Sequence, residues 1–569
     1  MIRIDLCEKR MGILAQDGHL LVEGGPGSGK TTIALLKAKA RTKTLRPGQR
    51  ILFLSFSRAA IRQVLLRCKE LLTSEERSFI EVQTYHAFCM WVLRSHGRLL
   101  HGHPLHWLYP REERLRKSNF EGNWLEESHR LAQDEGIYSF DLFASGAASL
   151  LEGSQAVREL ISDRYPMIVV DEFQDTDEDQ WRLVQQFSHA SDIFCLADPD
   201  QRIFDYRANV DPRRVKLLIE RLAPTIFDLG GDNHRSPNAG ILGFADAILH
   251  NRAPLPQSRD VKLHHYRPNT FQSSVHAAVM WTFSELRRRD VISPTVAVLA
   301  RSNALVAELS EIISHPHTYN GQELSPLTHS VVWDAELSAA AALVVASILE
   351  WPCSPDASGL NRTLMAVSNY YKLKHAEEQT QTAWRKAGQF AEAAAKVTQG
   401  QSPRILAGRQ LEQSYRGPLI LKGDPVGDWK LARAVISGID ALSDISRDVR
   451  LIPLFRASAT LGGSLAERWL NQGSYLGVSR LVQRALDQDK LSAAERDPQG
   501  CMLMNIHKAK GKEFDGVVLV EGAFKGAFLD ERTEQEPFER SRRLLRVGIT
   551  RARSLVTLVR PHQSRPLVD

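Results

Sequence analysis

The chain has 569 residues, of which 43% are hydrophobic and 25% are charged, as expected for a globular protein with several domains. Its formal net charge of +6 is compatible with nucleic-acid binding without requiring it. The six cysteines lie far apart, which argues against a zinc site, an iron–sulfur cluster and a disulfide framework. The sequence shows neither a signal peptide nor an apolar run of about eighteen residues, so we expect a cytoplasmic protein with no membrane partner.

A glycine-rich stretch follows the short apolar run at 20–22 and leads into a helical pattern. It fits G-x-x-x-x-G-K-[ST] in the strand–turn–helix context that this pattern requires. Backbone N–H groups of such a loop surround phosphate oxygens, while the lysine reaches the β- and γ-phosphates and the hydroxyl ligates Mg²⁺. The stretch therefore predicts a nucleoside triphosphate site, formed by Gly24, Gly25, Pro26, Gly27, Ser28, Gly29, Lys30, Thr31 and Thr32.

Strand and helix patterns alternate through the first part of the chain and resume after a charged, His-rich interval. Strands separated by crossover helices indicate a parallel sheet, with ligands at the carboxyl ends of the strands. We predict one α/β domain from residues 1–95 and 161–224, interrupted by a mainly helical insertion at 96–160. The strand patterns of this domain lie at 20–22, 51–55, 81–84, 167–170 and 193–196.

A second region of alternating strands and helices begins near residue 225. It pauses where Ala-rich helical stretches alternate with Pro/Gly turns, and then resumes to the end of the sequence. We predict a second α/β domain from 225–349 and 496–569, interrupted by a mainly helical insertion at 350–495. Its strand patterns lie at 225–229, 296–299, 502–506, 517–520 and 555–559.

Two carboxylates, Asp171 and Glu172, directly follow the strand pattern at 167–170. An aspartate at such a strand end holds Mg²⁺ in P-loop ATPases, and the neighbouring glutamate can polarise the attacking water. The alternative is an acidic cap ahead of the next helix. The continuation of the segment through residue 176 favours the catalytic interpretation.

Residues 171–176, Asp-Glu-Phe-Gln-Asp-Thr, resemble motif II of superfamily 1 helicases of the UvrD/Rep/PcrA type, and the other motifs follow in family order. The resemblance covers both α/β domains but not the insertions. It implies two RecA-like P-loop motor domains with ATP between them, 3′ to 5′ translocation on single-stranded DNA, and unwinding of duplex DNA. The implied partners are single-stranded DNA and junctions between single and double strands.

Segments 54–60 and 84–88 resemble motifs Ia and Ib, and segment 198–207 resembles motif III. The resemblance implies that Gln201 senses the γ-phosphate. Where the family prefers Gly and Trp, this chain has Asp205 and Tyr206, which alters the stacking platform for bases. For Phe56 of motif Ia, the alternative is a role in the hydrophobic core. The implied DNA-facing residues of these motifs are Phe56, Arg58, Thr84, His86, Phe204, Tyr206 and Arg207.

Segment 233–236 resembles motif IV, in which Arg235 would contact the γ-phosphate and His234 stands where a tyrosine usually stacks on the base. Segment 505–515 resembles motif V. There the resemblance implies that Glu513 approaches the ribose or γ-phosphate, and that the DNA side is served by His507 and Lys510.

Segment 544–553 resembles motif VI, and Arg551 would be an arginine finger supplied by the second motor domain. For the neighbouring Arg540, Arg542 and Arg543 we expect a solvated basic face. The glutamine that reads adenine in the family is absent, and its neighbourhood is occupied by residues 8–10, Glu-Lys-Arg. For the histidines at 101, 103 and 106, a basic surface is favoured over a metal site.

Two other functions are compatible with these motifs. The first is a DNA-dependent ATPase subunit that acts with a separate nuclease, as in Gabija-type phage defence, because the insertions are short for the family and no nuclease domain follows motif VI. The second is a nucleotide-dependent switch without effective hydrolysis. This switch is disfavoured because the catalytic positions are intact, namely Lys30, Asp171, Glu172, Gln201, Arg235 and Arg551.

Overall fold

The computed structural model describes residues 7–56, 58–109, 112–113, 116, 120, 123–203, 210–230, 234, 240–332, 335–354, 356–378, 381–450, 459–482, 499–522, 526–531 and 534–568. The chain divides into two compact units. The first unit comprises Met1–Val332 and Asp497–Asp569, and the second comprises Trp333–Arg496.

The strands are, in chain order, β1 (Leu20–Glu23), β2 (Ile51–Ser55), β3 (Ile80–Thr84), β4 (His106–Leu108), β5 (Ile137–Ser139), β6 (Met167–Val170), β7 (Asp192–Ala197), β8 (Thr225–Asp228), β9 (Val261–Tyr266), β10 (Val296–Ala300), β11 (His317–Tyr319), β12 (Gln322–Leu324), β13 (His329–Val332), β14 (Cys501–Asn505), β15 (Phe514–Val520) and β16 (Ala552–Pro561).

The helices are, in chain order, α1 (Glu8–Ala15), α2 (Lys30–Thr42), α3 (Arg58–Leu71), α4 (Ser74–Ser78), α5 (Tyr85–His96), α6 (Arg98–His101), α7 (Trp124–Glu135), α8 (Phe143–Gly153), α9 (Gln155–Arg164), α10 (Glu178–Phe187), α11 (Arg214–Leu222), α12 (Ile241–Leu249), α13 (Phe271–Arg288), α14 (Asn303–Ser314), α15 (Ala335–Leu349), α16 (Ser358–Glu378), α17 (Gln381–Thr398), α18 (Leu406–Arg416), α19 (Pro425–Ser437), α20 (Ser443–Arg450), α21 (Ala459–Gln472), α22 (Ile506–Ala509) and α23 (Glu539–Ile549).

The first unit contains a six-stranded parallel sheet in the order β3-β2-β6-β7-β1-β8. Strands β2 and β6 are buried along their whole length, which explains why they are continuous apolar runs in the sequence. Because β6, β7 and β1 are neighbours, their carboxyl ends share one edge of the sheet. The glycine-rich loop after β1 and Asp171 after β6 are brought together at this edge.

Alternate residues of these strands enter two different hydrophobic cores, as the two-residue period of a strand requires. Leu52 and Leu54 of β2 pack in one core with Phe88 of α5. Ile51 and Phe53 pack in the other core, on the opposite face. Both faces of the sheet are therefore covered, which is the α/β arrangement that the sequence predicts.

A second six-stranded parallel sheet in the same unit has the order β13-β14-β10-β15-β16-β9. Its core includes Phe244 of α12 and Leu545 of α23 together with Val517 and Val556 of the central strands. The prediction of two α/β domains with parallel sheets is thus confirmed.

The predicted boundary at residue 225 is wrong, because β8 pairs in parallel with β1 at the edge of the first sheet. Most of β8 is exposed or half-buried, as expected for an edge strand. A short apolar run indicates that a strand forms, but it does not indicate which sheet the strand joins. The first α/β domain therefore continues through β8.

The segment predicted as a separate insertion at 96–160 shares its core with the first sheet. Phe143, Ala147 and Leu151 of α8 are fully buried in the same cluster as Leu52 and Leu54 of β2. Helix α8 also contacts α5 and α10. The second half of this segment is therefore part of the first α/β domain, because its apolar face finds no other core to enter.

The second unit is helical in its described residues, as the sequence predicts for the second insertion. It begins earlier than the predicted residue 350, because Val344, Val345 and Ile348 of α15 are fully buried in its core. The predicted boundary places helix α15 in the second α/β domain, because a predominantly apolar helix does not reveal which core it enters. Within the described ranges, we find no helix that combines the length and the apolar character needed to cross a bilayer.

We predict that Ile348→Ala loosens the second unit alone. Ile348 has 0% exposure in that unit's core, so its truncation removes about 2–5 kcal/mol of stability. Hydrogen exchange on the full chain should rise in α16, α17 and α20 and stay unchanged in β1 and β2. Ile292→Ala is the matched control, because Ile292 is 96% exposed. Faster exchange in β1 and β2 with unchanged exchange in α16 would contradict the boundary near residue 333.

Candidate active site

The glycine-rich loop after β1 is shaped as a cradle for an anion. Gly27 and Gly29 have φ angles of 77° and 88°, which disfavour side chains with a Cβ. The Lys30 ammonium donates to the carbonyl oxygens of Gly24 and Gly25, at 2.6 and 3.1 Å. The Ser28 hydroxyl is buried without a hydrogen-bond partner in the described part of the chain. A phosphate fits this loop, because it would accept from both the lysine and the hydroxyl.

Asp171 and Glu172 lie at the end of β6, and Glu172 has a left-handed backbone with φ of 52°. A non-glycine residue in this conformation stores strain, as is common at functional sites. Burial and the neighbouring Glu172 charge raise the pKa of Asp171 to about 7. The pKa of Glu172 is lowered although burial opposes this shift, because Lys510 and Lys30 lie nearby. Glu172 is therefore held as a carboxylate.

The residues predicted to hold Mg²⁺ are chemically suited to it. Thr31 lies in the first turn of α2, directly after the loop, and Asp171 follows β6, whose carboxyl end lies on the same sheet edge as the loop. Magnesium prefers oxygen ligands and usually keeps several waters, so two protein ligands are enough. In the described ranges, no group of three or more His, Cys, Asp or Glu side chains is placed to bind one metal ion.

A hydrogen-bond network connects the end of β6 to the second sheet. Gln174 donates to Glu172 at 2.6 Å and accepts from the backbone N–H of Asp198 at 3.0 Å. Gln201 donates to the Asp198 carboxylate at 2.7 Å, and its oxygen accepts from Arg551 at 2.6 Å. The structure thus brings together three predicted catalytic residues, Glu172, Gln201 and Arg551.

Lys510 lies in the cleft between the two sheets and not on the DNA side, so that part of the prediction is wrong. Its side chain is 8% exposed, bonds to the Asp175 carboxylate and lies 3.6 Å from that of Glu172. It also donates to the carbonyl oxygen of Gln201 at 2.8 Å. A lysine with these buried partners is not available to a DNA phosphate in this arrangement.

Arg546 is a residue of this site that the sequence analysis missed. It is 3% exposed on α23, and its Nη2 atom lies 3.6 Å from the position that a Cβ on Gly25 would take. Its carboxylate neighbours are Asp246 at 2.7 Å and Asp198 and Asp200 at 3.6 Å each. The sequence feature that could have pointed to Arg546 is its position five residues before Arg551, in an arginine-dense segment.

Arg10 of α1 is a second missed residue, and it lies where the family's adenine-reading glutamine is absent. Its guanidinium donates to the carbonyl oxygen of Ser28 at 3.1 Å and lies 2.9 Å from His234 Nε2. The His234 backbone N–H donates to Gly27 at 2.7 Å, so His234 is anchored to the glycine-rich loop. The predicted stacking of His234 on a base stays a prediction.

The predicted DNA-facing residues are only partly described. Phe56 is half-buried, with its ring 5.3 Å from that of Tyr85, so it borders the core while keeping an accessible edge. Thr84 caps α5 by accepting from the Ala87 N–H at 3.1 Å. His86 is exposed, and His507 is half-buried on α22. Arg58 is described only as the first residue of α3, and the DNA-facing residues outside the described residues are Phe204, Tyr206 and Arg207. Arg235, predicted to contact the γ-phosphate, also lies outside the described residues.

The predicted solvated basic face of the arginine-dense helix is wrong for Arg542. Its guanidinium is 1% exposed and donates to the backbone carbonyl oxygens of Pro537, Ile248 and Leu567. Through these carbonyl acceptors, Arg542 joins the end of the chain to α12. Glu513, predicted near the nucleotide, lies 3.3 Å from Arg553, and its predicted role is not tested by this contact.

Comparison with known families agrees with this geometry. The family model described as the UvrD/REP helicase N-terminal domain matches residues 7–116 and 103–212. The model described as the UvrD-like helicase C-terminal domain matches residues 500–559. The chain thus carries the N-terminal and C-terminal domains of UvrD-type helicases. UvrD-type helicases are ATP-dependent hydrolases, and the matched ranges contain the glycine-rich loop, Asp171, Gln201 and Arg551.

Individual relatives match parts of the chain. It is 24% identical over 257 residues to the probable DNA helicase II homolog of Mycoplasma pneumoniae, covering 36% of each protein. It is 40% identical over 131 residues to the ATP-dependent DNA helicase UvrD2 of Mycobacterium bovis, covering 20% of this chain and 18% of that protein. It is 27% identical over 207 residues to the RecBCD enzyme subunit RecB of Mycobacterium tuberculosis, covering 31% of this chain and 18% of that protein. The matched region is about a third or less of each relative's length.

We predict that Lys510→Met destabilises the chain by about 3–5 kcal/mol, because it leaves the Asp175 carboxylate buried without its cation. Urea unfolding of the full chain measures this loss in the transition of the first unit. Lys216→Met is the matched control, because Lys216 is 73% exposed and pairs with Glu220 along its own helix. Equal losses of stability in the two variants would show that the buried Lys510 ion pair contributes no more to stability than the exposed Lys216 pair.

Proposed function

We propose that the chain is an ATP-dependent DNA helicase that moves 3′ to 5′ on single-stranded DNA and unwinds duplex DNA. The observation that carries the proposal is the hydrogen-bond network from Glu172 through Gln174, Asp198 and Gln201 to Arg551. It joins the strand end that faces the glycine-rich loop to a residue of the second sheet. A nucleotide in this loop is thereby linked to the relative position of the two domains.

Hydrolysis can be assigned to residues of this chain. The glycine-rich loop and Lys30 bind the phosphates, and Glu172, held as a carboxylate, accepts a proton from the attacking water. Arg551 stabilises the charge that develops on the transferred phosphoryl group. Mg²⁺, when bound by Thr31 and Asp171, neutralises phosphate charge.

The contacts between the domains explain how hydrolysis could produce movement. Lys510 and Arg551 come from the second domain, and their partners come from the first. Loss of the γ-phosphate changes the charge that these cations face, so it shifts the balance between closed and open domains. Alternating closure on a DNA strand is translocation.

Several features support single-stranded DNA as the track. Phe56 directly follows β2 and Thr84 is the last residue of the adjacent strand β3, so both lie on the same sheet edge as the nucleotide site. An aromatic edge next to a helix N-terminus offers stacking for a base and N–H groups for a phosphate.

The 3′ to 5′ direction rests on the family resemblance. The base is adenine on the same grounds, although Arg10 stands where the family reads it with glutamine.

A second candidate function is favoured by the similarity to RecB, which is named as a subunit of an enzyme. On this alternative the chain is a DNA-dependent ATPase subunit that acts with a separate nuclease, as in a Gabija-type defence complex. The same nucleotide site and the same DNA track serve both functions. They differ in whether the purified chain separates strands alone.

We predict that single-stranded DNA stimulates ATP hydrolysis by the full chain, and that Lys30→Ala and Glu172→Gln abolish the stimulated rate. Lys30→Ala removes the phosphate contact and should also weaken nucleotide binding. Glu172→Gln should keep nucleotide binding and lower kcat by about a hundredfold or more, because general-base catalysis is lost. Phosphate release with and without DNA, together with nucleotide binding, measures both effects.

Glu220→Gln is the control for the glutamate variant, because Glu220 is 57% exposed and pairs with Lys216 on its own helix. Hydrolysis by Glu172→Gln at the rate of this control would remove Glu172 from the mechanism. Hydrolysis that is insensitive to single-stranded DNA would argue against DNA as the track.

We predict that the purified chain unwinds a duplex with a 3′ single-stranded tail and leaves a duplex with a 5′ tail intact. A motor that moves 3′ to 5′ reaches the duplex only from the 3′ tail. Strand separation is measured by the release of a fluorescent strand at equal ATP consumption on both substrates. Unwinding from the 5′ tail would reverse the direction. DNA-stimulated hydrolysis without unwinding of either duplex would favour the subunit function.

A further inference from the structure

The guanidinium of Arg546 is a buried cation beside the glycine-rich loop. Arg546 lies on α23 of the second domain and is 3% exposed. Its Nη2 atom lies 3.6 Å from the position that a Cβ on Gly25 would take, so the guanidinium borders the loop that cradles the phosphates. Through this residue the second domain reaches the nucleotide site at a second position besides Arg551.

The guanidinium is held firmly at one end only. Its Nε donates to the Asp246 carboxylate, within the second domain, at 2.7 Å. The contacts of the other two nitrogens with Asp198 and Asp200 of the first domain are 3.6 Å long and therefore longer than hydrogen bonds. The Nη1 atom is buried and has no hydrogen-bond partner within the described residues. Nη2, the nitrogen that borders the loop, lies 3.6 Å from Asp200, which is too far for a hydrogen bond, so it can donate to a further acceptor.

The carboxylates around this guanidinium make the environment negative. Burial raises the pKa of Glu23, and the charges of Asp228, Asp198 and Asp200 raise it further. Burial likewise raises the pKa of Asp200, against the pull of Arg546. A polyanion in the loop is repelled by these groups and attracted by Arg546. The aspartates and the phosphates therefore compete for the same cation.

We propose that Arg546 is an additional phosphate-binding residue, supplied by the second domain to a nucleoside triphosphate in the glycine-rich loop, and that Asp198 and Asp200 compete with the phosphates for it. The inference rests on the proposed nucleotide site and adds a residue to it. Asp246 keeps the guanidinium oriented while Nη1 and Nη2 change partners. The exchange gives the second domain a contact with the nucleotide that does not depend on Gln201.

A phosphate-binding role and a purely structural role of Arg546 predict opposite effects of Asp200→Asn on nucleotide affinity. If the phosphates and Asp200 compete, Arg546→Gln weakens nucleotide binding and Asp200→Asn strengthens it, because the substitution at 200 removes a competitor and a repelling charge. If Arg546 only ties the domains together, both substitutions weaken binding, because both remove the tie. Asp200 is 46% exposed, so its substitution leaves the fold intact.

The experiment is equilibrium binding of a fluorescent, slowly hydrolysed ATP analogue to the full chain in the presence of Mg²⁺. Arg546→Gln should raise Kd about 10-fold or more, the effect of losing a charge-assisted hydrogen bond. Asp200→Asn should lower Kd about threefold. The Kd of Arg546→Lys should lie between those of the wild type and Arg546→Gln, because lysine keeps the positive charge but lacks the planar guanidinium with its paired N–H donors. Arg543→Gln is the matched control, since Arg543 pairs with Glu539 on the same helix.

The outcomes separate the inference from the proposed function. Failure of the wild-type chain to bind the analogue, or equal binding by Lys30→Ala, would count against the nucleotide site itself. If the wild type binds and Lys30→Ala does not, then an Arg546→Gln affinity equal to that of Arg543→Gln overturns the inference. Weaker binding by Asp200→Asn also overturns it. Circular dichroism checks folding, and the Asp200→Asn result decides alone if Arg546→Gln does not fold.

Discussion

Charged groups buried between the two sheets of the first unit need partners from the opposite sheet. Lys510 is 8% exposed, and the Asp175 carboxylate that it contacts is 3% exposed. A buried ion without a partner costs several kcal/mol of stability. If the two sheets move apart, water must therefore enter and hydrate both charges. Arg551 likewise takes a hydrogen-bond partner, Gln201, from the opposite domain. On the proposed function, closure of the domains therefore also assembles the catalytic residues.

The topology of the first sheet decides which residues these cations meet. Because β6, β7 and β1 are adjacent, Asp171, Asp198 and the glycine-rich loop emerge side by side. The short turns that follow β6 and β7 then direct Gln174 and Gln201 towards each other through Asp198. The left-handed backbone of Glu172 is part of this arrangement, because it turns the chain immediately after the strand.

Sequence patterns predicted the parts of the site that depend on local geometry. The glycine-rich loop, Asp171 and Glu172 could be found because a strand end and a turn fix their position. The orientation of Lys510 could not, since whether a side chain points to a groove or into a cleft depends on the opposite sheet. The same applies to β8 and α15: their apolar residues indicate burial, but the core that buries them is set by long-range packing. Arg546 and Arg10 were missed because each becomes part of the site only through the tertiary fold.

Asp198 makes the two arginines of the second domain interdependent. Its Oδ2 atom accepts from Gln201 at 2.7 Å and lies 3.6 Å from Nη1 of Arg546. Gln201 in turn accepts from Arg551. If a phosphate draws Arg546 away, Gln201 remains the donor to Oδ2 of Asp198, and the hydrogen bond between them strengthens as the competing positive charge leaves. On the proposed function, binding at the glycine-rich loop would thus fix Gln201, and through it Arg551, before hydrolysis begins.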